Sequence, residues 1–362
     1  MKNLIKIIFK IKFTIKIPPK KKIIIYDIHS EKILSNILKE NFLVMPTRLE
    51  EISLPILVLS LMINLKDTLR FRDIYFNYLK TFIILTKPLS VITFIDNDQR
   101  FFKFKKYLKS IKFIAIQNGY RFYKNDLYES IQNSDYKFEC DEYYCFGENV
   151  KNYLKDRIQA KIIVTGSLKN NYCLNSKNKI KKNLCFISSF GISNHKYEKL
   201  LLNIIYEFCQ KRKIDLEILA RSKKIEEKYF FDNILQNKKF VFHEQKDRIC
   251  SSYDIIDKAE ICFSLNASLG YESLGRGNKT LFFNLNDRNL NCDSFTKFGY
   301  PEKFKDEGFF WTNKFDAQKI IDKINYIYDL SEQEWEDNTN KITKRVMLYD
   351  HNNQFIQNKI KN

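Results

Sequence analysis

The sequence predicts an α/β protein with two Rossmann-like domains that face a cleft. First, 362 residues are too many for one ordinary hydrophobic core and suit two domains of roughly 150–200 residues each. Second, apolar strand-like runs alternate with amphipathic stretches, a pattern that favours parallel sheets with crossover helices. Third, this alternation stops at a polar stretch rich in Asn and Lys and then restarts. The interruption indicates two successive domains.

The interruption also sets the predicted domain boundaries. These are a basic N-terminal extension at 1–20, a first Rossmann-like domain at 21–170, a linker at 171–182, a second Rossmann-like domain at 183–330, and a C-terminal helix and tail at 331–362. Ligands of open α/β sheets bind outside the carboxyl ends of the strands. The cleft between the two domains is therefore the expected site.

Each predicted strand is a short apolar run that ends in polar residues or glycine. The strands are expected at 21–27, 90–98, 111–119, 142–148 and 161–167, and after the linker at 183–191, 215–222, 240–244, 260–266 and 280–285. Helical periodicity and start signals fill the intervals between them. The helices are expected at 30–40, 70–85, 100–109 and 149–156, and then at 195–212, 224–236, 251–258, 268–276, 316–329 and 331–347.

The formal net charge of +19 comes from 50 Lys and 12 Arg against 43 acidic residues. A cationic surface attracts anionic membranes, nucleic acids or phosphorylated substrates. No helix-turn-helix, zinc-finger or RNA-binding motif accompanies the charge. We therefore expect a nucleotide sugar or anionic lipid as the partner, and no nucleic acid.

The N-terminal extension alternates Lys with Ile and Phe and contains no run of signal-peptide or membrane-spanning length. It is either a basic amphipathic segment on an anionic inner leaflet, or a frayed or strand-like extension that ends at Pro18 and Pro19. The protein is expected to be cytoplasmic, and in the first case peripheral at the inner face of the cytoplasmic membrane.

The eight cysteines include no C-x-x-C pair and no His partner at ligand spacing. Several lie inside apolar strand runs, such as Cys185 and Cys262. This pattern predicts buried free thiols in a reducing cytosol and no metal site. No cofactor is expected either.

The segment 260–284 is the most informative part of the chain. Its strand ends in Ser264 and Asn266, and a short helix begins near Ser268. A helix N-terminus offers unpaired N–H groups and a positive dipole end, both suited to a phosphate. Glu272, one turn into the helix, could accept hydrogen bonds from ribose hydroxyls. The alternative is that Ser268 only caps the helix and Glu272 only complements its dipole.

This segment, with L-G-Y-E followed by L-G-R-G-N-K and an apolar strand, resembles bacterial surface-carbohydrate (lipopolysaccharide and capsule) biosynthesis proteins. These are relatives of the GT-B glycosyltransferases, including transferases for Kdo-type and sialic-type acids. The stretches I-A-I-Q-N-G-Y-R-F at 114–122, C-F-G-E-N-V-K-N-Y-L at 145–154 and I-I-V-T-G-S-L-K-N at 162–170 are also similar to that family. The resemblance covers roughly 90–285.

The resemblance implies a GT-B-like fold, with the donor nucleotide on the second domain and the acceptor against the first. The implied donor-binding residues are Ser264, Asn266, Ser268, Glu272 and Arg221, with His243 as a substitute for a missing His-Pro element or as a structural histidine. The implied cleft-lining residues are Gln117, Asn118, Gly119, Arg121, Gly166 and Ser167. Arginine forks suit diphosphates, so at least two of Arg121, Arg221 and Arg276 are expected to face the cleft.

Transfer with inversion needs a base for the acceptor hydroxyl and positive charge for the leaving phosphate. The candidate bases are Asp96, ahead of Asp98, in F-I-D-N-D, and the rival pair Asp27 and His29 after the first strand. Acids at strand ends also commonly cap the next helix. The D-N-D stretch is similar to a metal-binding D-x-D motif, but that motif belongs to an architecture with one main domain, so no essential metal is expected.

The leading hypothesis is a glycosyltransferase that moves a sugar from a nucleotide-activated donor, for example a CMP-linked acid sugar, to a surface polysaccharide or lipid-linked glycan. The alternatives are a sugar-nucleotide epimerase or a polyol-phosphate transferase of the same fold, a non-catalytic scaffold in polysaccharide assembly, and a nucleic-acid-binding protein.

Overall fold

Two parallel sheets, formed one after the other along the chain, organise the molecule. The structure is a computed structural model that describes residues 11–38, 41–64, 71–121, 127–134, 137–175, 181–191, 195–265, 267–285 and 297–361. The predicted fold class, an α/β protein with two Rossmann-like sheets, is confirmed. The exact domain boundaries remain predictions.

The first sheet has six parallel strands in the order β3-β2-β5-β6-β7-β8. They are β2 (Ile23–Tyr26), β3 (Phe42–Met45), β5 (Ser90–Thr93), β6 (Lys112–Ile116), β7 (Phe138–Cys145) and β8 (Ile158–Val164). Their Ile-, Val- and Phe-rich runs are buried on both faces, as expected for a parallel sheet covered by helices. Strand β3 was not expected from the sequence, because its four residues carry too little pattern to indicate a strand.

The helices of this half are α1 (Ile28–Leu38), α2 (Leu54–Ile63), α3 (Phe71–Thr86), α4 (Gln99–Tyr107), α5 (Leu127–Gln132), α6 (Glu148–Leu154) and α7 (Leu168–Tyr172). Two short strands, β1 (Lys12–Thr14) and β4 (Glu51–Ser53), pair in parallel as a separate ribbon. The extension is therefore strand-like at 12–14, one of the alternatives that the sequence left open. Residues 1–10 lie outside the described part of the chain.

The second sheet has the order β11-β10-β9-β12-β13-β15-β14 and is parallel except for the pairing of its last two strands. The strands are β9 (Asn183–Ile187), β10 (Leu216–Leu219), β11 (Val241–His243), β12 (Ala259–Ser264), β13 (Thr280–Phe283), β14 (Glu307–Gly308) and β15 (Trp311–Thr312). The helices are α8 (His195–Arg212), α9 (Ile225–Ile234), α10 (Ser251–Ile256), α11 (Ser268–Gly275), α12 (Ala317–Asp329), α13 (Glu332–Val346) and α14 (Gln354–Lys361).

The C-terminal part of the chain returns to the first sheet. After α13, the backbone N–H of Leu348 donates to the carbonyl of Phe146 at 2.8 Å. Ile356 on α14 is then buried against apolar residues of the first half such as Ile33. Gly166 shows how closely the returning chain packs, because a Cβ there would collide with the carbonyl of Leu348. The two halves are thus joined by this return as well as by the linker.

One expectation about the cysteines is wrong. Cys173, directly after α7, and Cys250, directly before α10, form a disulfide across 77 residues of sequence. The buried, unpaired thiols expected from the sequence are found at Cys140, Cys145, Cys185, Cys209 and Cys262. The disulfide links the end of the first half to a helix of the second.

Among the described residues, no helix is both long and apolar enough to cross a membrane. Within the same residues, no cluster of three or more His, Cys, Asp or Glu side chains could hold a metal ion.

Candidate functional site

A cavity of about 730 Å³ lies between the two halves, beside the carboxyl ends of strands from both sheets. His29, Asn118 and Arg121 line it from the first half. Arg221 and Ser268 line it from the second half. The structure therefore brings together predicted site residues that are up to 239 residues apart in the sequence. This is the interdomain position expected of a ligand site in α/β sheets.

The cavity is strongly basic. Its cationic side chains are Lys32, Arg121, Lys169, Arg221, Lys246 and Arg248. Two acidic residues line it in the described part of the chain: Asp247, whose carboxylate pairs with Lys223 at 2.5 Å, and Glu272, which is buried. Side chains of one sign in a concave site focus the electrostatic potential. The cavity is thus suited to a ligand that carries negative charge, such as a diphosphate.

Asp96 lies beneath the cavity and does not line it. One carboxylate oxygen accepts from Arg121 and from the backbone N–H of Asn118, the latter at 3.1 Å. The other oxygen accepts from the Tyr143 hydroxyl at 2.6 Å. Burial raises the pKa of Tyr143 well above its usual value, so this hydroxyl remains the proton donor. The placement contradicts the expectation that Asp96 faces the cleft as a general base; it instead holds Arg121 in place.

Asp98 and Asp27 are also occupied by structural contacts. Asp98 caps α4 through the backbone N–H of Arg100 at 3.0 Å and pairs with the guanidinium of that residue at 2.6 Å. It borders a separate pocket of about 580 Å³ on the first half. Asp27 is buried and accepts from the His29 backbone at 2.8 Å, the Thr47 hydroxyl at 2.9 Å and Arg48 Nε at 2.8 Å. Neither carboxylate lines the cavity between the sheets, which contradicts their prediction as bases there.

His29 differs from these three carboxylates because its side chain is exposed and lines the cavity. The backbone N–H of His29 donates to Asp27, which caps the first turn of α1. Of the four candidate bases predicted from the sequence, His29 is the one that the structure places at the cavity wall.

The turn that begins α11 borders the cavity at Ala267, Ser268 and Leu269. Ala267 occupies the N-cap position, so the alternative in which Ser268 caps the helix is wrong. The Ser268 hydroxyl instead accepts from the backbone N–H of Tyr120 at 2.9 Å. Ser264 is buried beneath the helix, where a Cβ on Gly270 would collide with its side chain. Asn266 lies outside the described residues.

Glu272 lines the inner end of the cavity, but its carboxylate is already engaged by two hydroxyls. One oxygen accepts from Ser167 and the other from Tyr253 at 2.9 Å. Burial raises the pKa of the Glu272 carboxyl, and the two hydrogen bonds oppose only part of that shift. The predicted contact with ribose hydroxyls stays a prediction, and the observed role of Glu272 is to join the two halves.

Arg276 does not face the cleft. Its side chain is completely buried and pairs with Asp257 through Nε at 2.7 Å and Nη2 at 2.5 Å. It also donates to the carbonyls of Cys173 and Leu174 at 2.8 and 2.9 Å. Arg276 therefore anchors the linker to α11. Two of the three arginines expected at the cleft, Arg121 and Arg221, do line the cavity.

The turn after β6 is held by its own side chains. Gln117 is buried. Its side-chain amide donates to the carbonyl of Gly119 at 3.0 Å and accepts from the backbone N–H of Phe146 at 2.9 Å. Asn118 lines the cavity and accepts from Arg121 at 3.0 Å. Gly119 lies against the Ser268 hydroxyl, which a Cβ would approach to 3.3 Å. The turn thus contacts both the cavity and α11.

Arg221 follows β10 and His243 is the last residue of the neighbouring strand β11, but their surroundings differ. Arg221 is exposed, lines the cavity and donates to the carbonyl of Phe190 at 2.8 Å. His243 pairs with Glu217 at 2.9 Å and does not line the cavity. This contradicts the idea that His243 substitutes for a basic element beside the donor and supports its structural interpretation.

Most of the cavity's positive charge comes from four residues that were not predicted from the sequence: Lys32, Lys169, Lys246 and Arg248. Lysines are so frequent in this chain that their sequence positions carry little signal. Ser188, directly after β9, was also missed. The rule that polar residues at strand ends line the site would have identified it.

Solved structures share this fold. The UDP-GlcNAc 2-epimerase from Neisseria meningitidis, bound to UDP-GlcNAc, is 15% identical, with a TM-score of 0.55 over 94% of this chain and 99% of that chain. The Methanocaldococcus jannaschii UDP-GlcNAc 2-epimerase in complex with UDP-GlcNAc and UDP is 13% identical, with a TM-score of 0.52 over 94% and 98%. The chain spans 60% of the length of a GtfA/B complex chain, covering 79% of its own length at 15% identity and a TM-score of 0.49.

The fold is thus GT-B-like, as the resemblance implied. No curated protein matches the sequence. A family described as "putative O-antigen biosynthesis protein" matches residues 114–199 and 193–362, and the chain belongs to that family. The resemblance to surface-carbohydrate biosynthesis proteins is confirmed at this level. The relation to Kdo-type and sialic-type transferases stays a prediction.

Proposed function

We propose that this protein is a metal-independent glycosyltransferase of surface-polysaccharide biosynthesis that binds a nucleotide-activated sugar between its two halves. The observation that carries the proposal is the basic cavity at the strand ends, which Arg121 lines from the first half and Arg221 from the second. A diphosphate leaving group develops negative charge as its bond to the sugar breaks, and preorganised cations stabilise that charge. The turn at Ser268 adds the positive end of α11.

His29 is the residue best placed to act as general base in this reaction. It is exposed at the cavity wall on the first half, the side assigned to the acceptor. Imidazole can take a proton from an acceptor hydroxyl near neutral pH. Asp27, Asp96 and Asp98 could accept that proton only by giving up their contacts with Arg48, Tyr143 and Arg100, respectively. The acceptor is a glycan or lipid-linked glycan, and the reaction takes place at the cytoplasmic side of the membrane.

A sugar-nucleotide epimerase is the second candidate. It is favoured by the fold shared with two UDP-GlcNAc 2-epimerases along almost their entire lengths. The two candidates differ in one requirement: an epimerase converts its nucleotide sugar without an acceptor, whereas a transferase needs one.

A nucleotide screen tests the proposal. Thermal unfolding is measured with CMP, CDP, UDP or GDP, because a ligand that binds only the native state raises the Tm by mass action. One nucleotide should raise the Tm and the others should not. The matching nucleotide sugar is then incubated alone and with acceptor glycans, and the products are followed by NMR. Epimerisation without acceptor would establish the second candidate, and no response to any nucleotide would favour a scaffold and overturn both.

A further inference from the structure

Helix α2 has its apolar side facing outwards. Leu54, Val58, Leu61 and Met62 are all exposed and recur at the i, i+4, i+7 and i+8 spacing of one helix face. We call these four residues the apolar stripe. The helix contains no charged residue, and Val58 and Met62 are 55% and 66% exposed. Surface helices of soluble proteins normally show the opposite arrangement.

The opposite face of α2 is buried and partly polar. Ser60 and Asn64 face inwards. The Asn64 side chain donates to the carbonyl of Ser60 at 2.8 Å and accepts from Lys80 of α3 at 3.1 Å. Because these polar groups are satisfied internally, the orientation of α2 is fixed and the stripe is held at the surface.

The ribbon of β1 and β4 extends the apolar surface. β4 runs directly into α2, and Ser53 donates from its hydroxyl to the carbonyl of Lys16 at 2.8 Å. This contact keeps Ile15 and Ile17, which are 81% and 64% exposed, beside the start of the stripe. Two segments distant in sequence thus form one apolar surface, larger than the scattered exposed residues of an ordinary soluble protein.

Lysines on the segment that carries Ile15 and Ile17 add positive charge beside this surface. Lys12, Lys16, Lys20 and Lys22 are exposed, and the sequence has no acidic residue before Asp27. Among the described residues, these lysines form one ion pair, between Lys12 and Glu51 at 3.3 Å. A second copy of the chain related by two-fold symmetry would bring like-charged lysines together, whereas an anionic lipid surface neutralises them.

We propose that the apolar stripe, with Ile15, Ile17 and the flanking lysines, docks the protein onto an anionic lipid bilayer. α2 is about 15 Å long at 1.5 Å per residue, too short to span a bilayer, so it lies in the interface with its stripe among the acyl chains. The lysines contact the anionic headgroups. This inference rests on the surface of the first half and is independent of the reaction proposed for the cavity.

Vesicle co-sedimentation of the full chain tests the proposal, with vesicles of phosphatidylglycerol and phosphatidylethanolamine compared with vesicles of phosphatidylcholine alone. Wild-type protein should bind the anionic vesicles and lose affinity as salt rises. The variant Val58→Glu with Met62→Glu should lower binding at least tenfold, because charge replaces the inserted side chains. The matched control, Ile225→Glu with Tyr229→Glu, changes two equally exposed residues at the same spacing on α9 and should bind as wild type.

A second variant separates the electrostatic contribution. Lys20→Gln with Lys22→Gln should lower binding to anionic vesicles by roughly tenfold or more and leave the small binding to phosphatidylcholine unchanged. Wild-type protein that stays in the supernatant with anionic vesicles would overturn the proposal. It would also be overturned if the stripe variant bound like wild type, or if light scattering showed a wild-type dimer that the stripe variant converts to a monomer. The nucleotide screen reports on the cavity alone, so the two proposals fail separately.

Discussion

Tyr120 and Tyr271 stack across the boundary between the two halves, with ring centroids 3.6 Å apart and planes within 10°. Tyr120 follows the Q-N-G turn, and Tyr271 belongs to L-G-Y-E on α11. The Tyr120 hydroxyl donates to the carbonyl of Val346 at 3.0 Å and accepts from Asn149 at 3.1 Å. The two motifs that the sequence singled out for ligand contact therefore also contact each other, and they form a packed joint beside the cavity.

Replacing Tyr120 with Ala should destabilise this joint. The ring is fully packed, so the variant loses both the buried area and the stacking contact, about 3–5 kcal/mol in the free energy of unfolding. Tyr120→Phe keeps the ring and loses two hydrogen bonds, which should cost about 1–3 kcal/mol. Chemical denaturation of both variants measures the difference. If Tyr120→Ala cost no more than Tyr120→Phe, the stacking would contribute nothing to the joint.

Patterns within a single element were readable from the sequence, whereas contacts between elements were not. The Ile-rich run of β2 and the polar end of β12 predicted strands and a site at their ends. The burial of Asp96, however, depends on Arg121, from the turn after β6, and on Tyr143 of β7. Arg276 was predicted at the cleft because nothing in the local sequence indicates that Asp257 will pair with it. Folding decides which polar residues at strand ends remain available to a ligand.

Glu272 should make stability depend on pH in a direction unusual for a carboxylate. Its pKa is raised in the folded protein, so the native state binds the proton more tightly than the unfolded state. Its contribution to stability is therefore complete below the ordinary glutamate pKa and is lost as pH rises through the raised value. Glu272→Gln keeps the neutral form at every pH. The free energy of unfolding of the wild type, relative to the variant, should fall from pH 4.5 towards pH 8.

This comparison isolates Glu272 because all other titrating groups are common to both proteins. Denaturation curves at matched ionic strength measure the difference at each pH. A wild-type advantage that grew with pH would show that the charged carboxylate is the form that Ser167 and Tyr253 stabilise.

The disulfide between Cys173 and Cys250 should stabilise the protein. Closing a loop of 77 residues restricts the unfolded chain, typically by about 2–4 kcal/mol in the free energy of unfolding. Reductant should lower the Tm of the wild type and leave the Tm of the variant Cys173→Ser with Cys250→Ser unchanged. An equal Tm for the wild type with and without reductant would contradict the pairing.

Arg221 should be needed for nucleotide binding and dispensable for folding. Its side chain is exposed and makes one hydrogen bond to a backbone carbonyl, so Arg221→Ala should change the Tm little. Loss of a charge-assisted hydrogen bond to a phosphate should weaken binding by about ten- to a hundredfold, as measured by calorimetry with the nucleotide found in the screen. Arg212→Ala is the matched control, since Arg212 pairs with Asp329 on the surface at 3.2 Å. Equal affinities for the two variants would remove Arg221 from the site.

His29 should affect turnover without affecting binding of the donor nucleotide. Because its imidazole is exposed and only its backbone contacts Asp27, His29→Gln should fold normally. Loss of a general base should lower kcat by about 10²–10⁴-fold while the nucleotide Kd stays within about twofold. His351→Gln changes an exposed histidine away from this cavity and should retain full activity. A His29→Gln enzyme with wild-type kcat would show that another group takes the acceptor proton. A lower affinity without a change in kcat would instead make His29 a residue that positions the ligand.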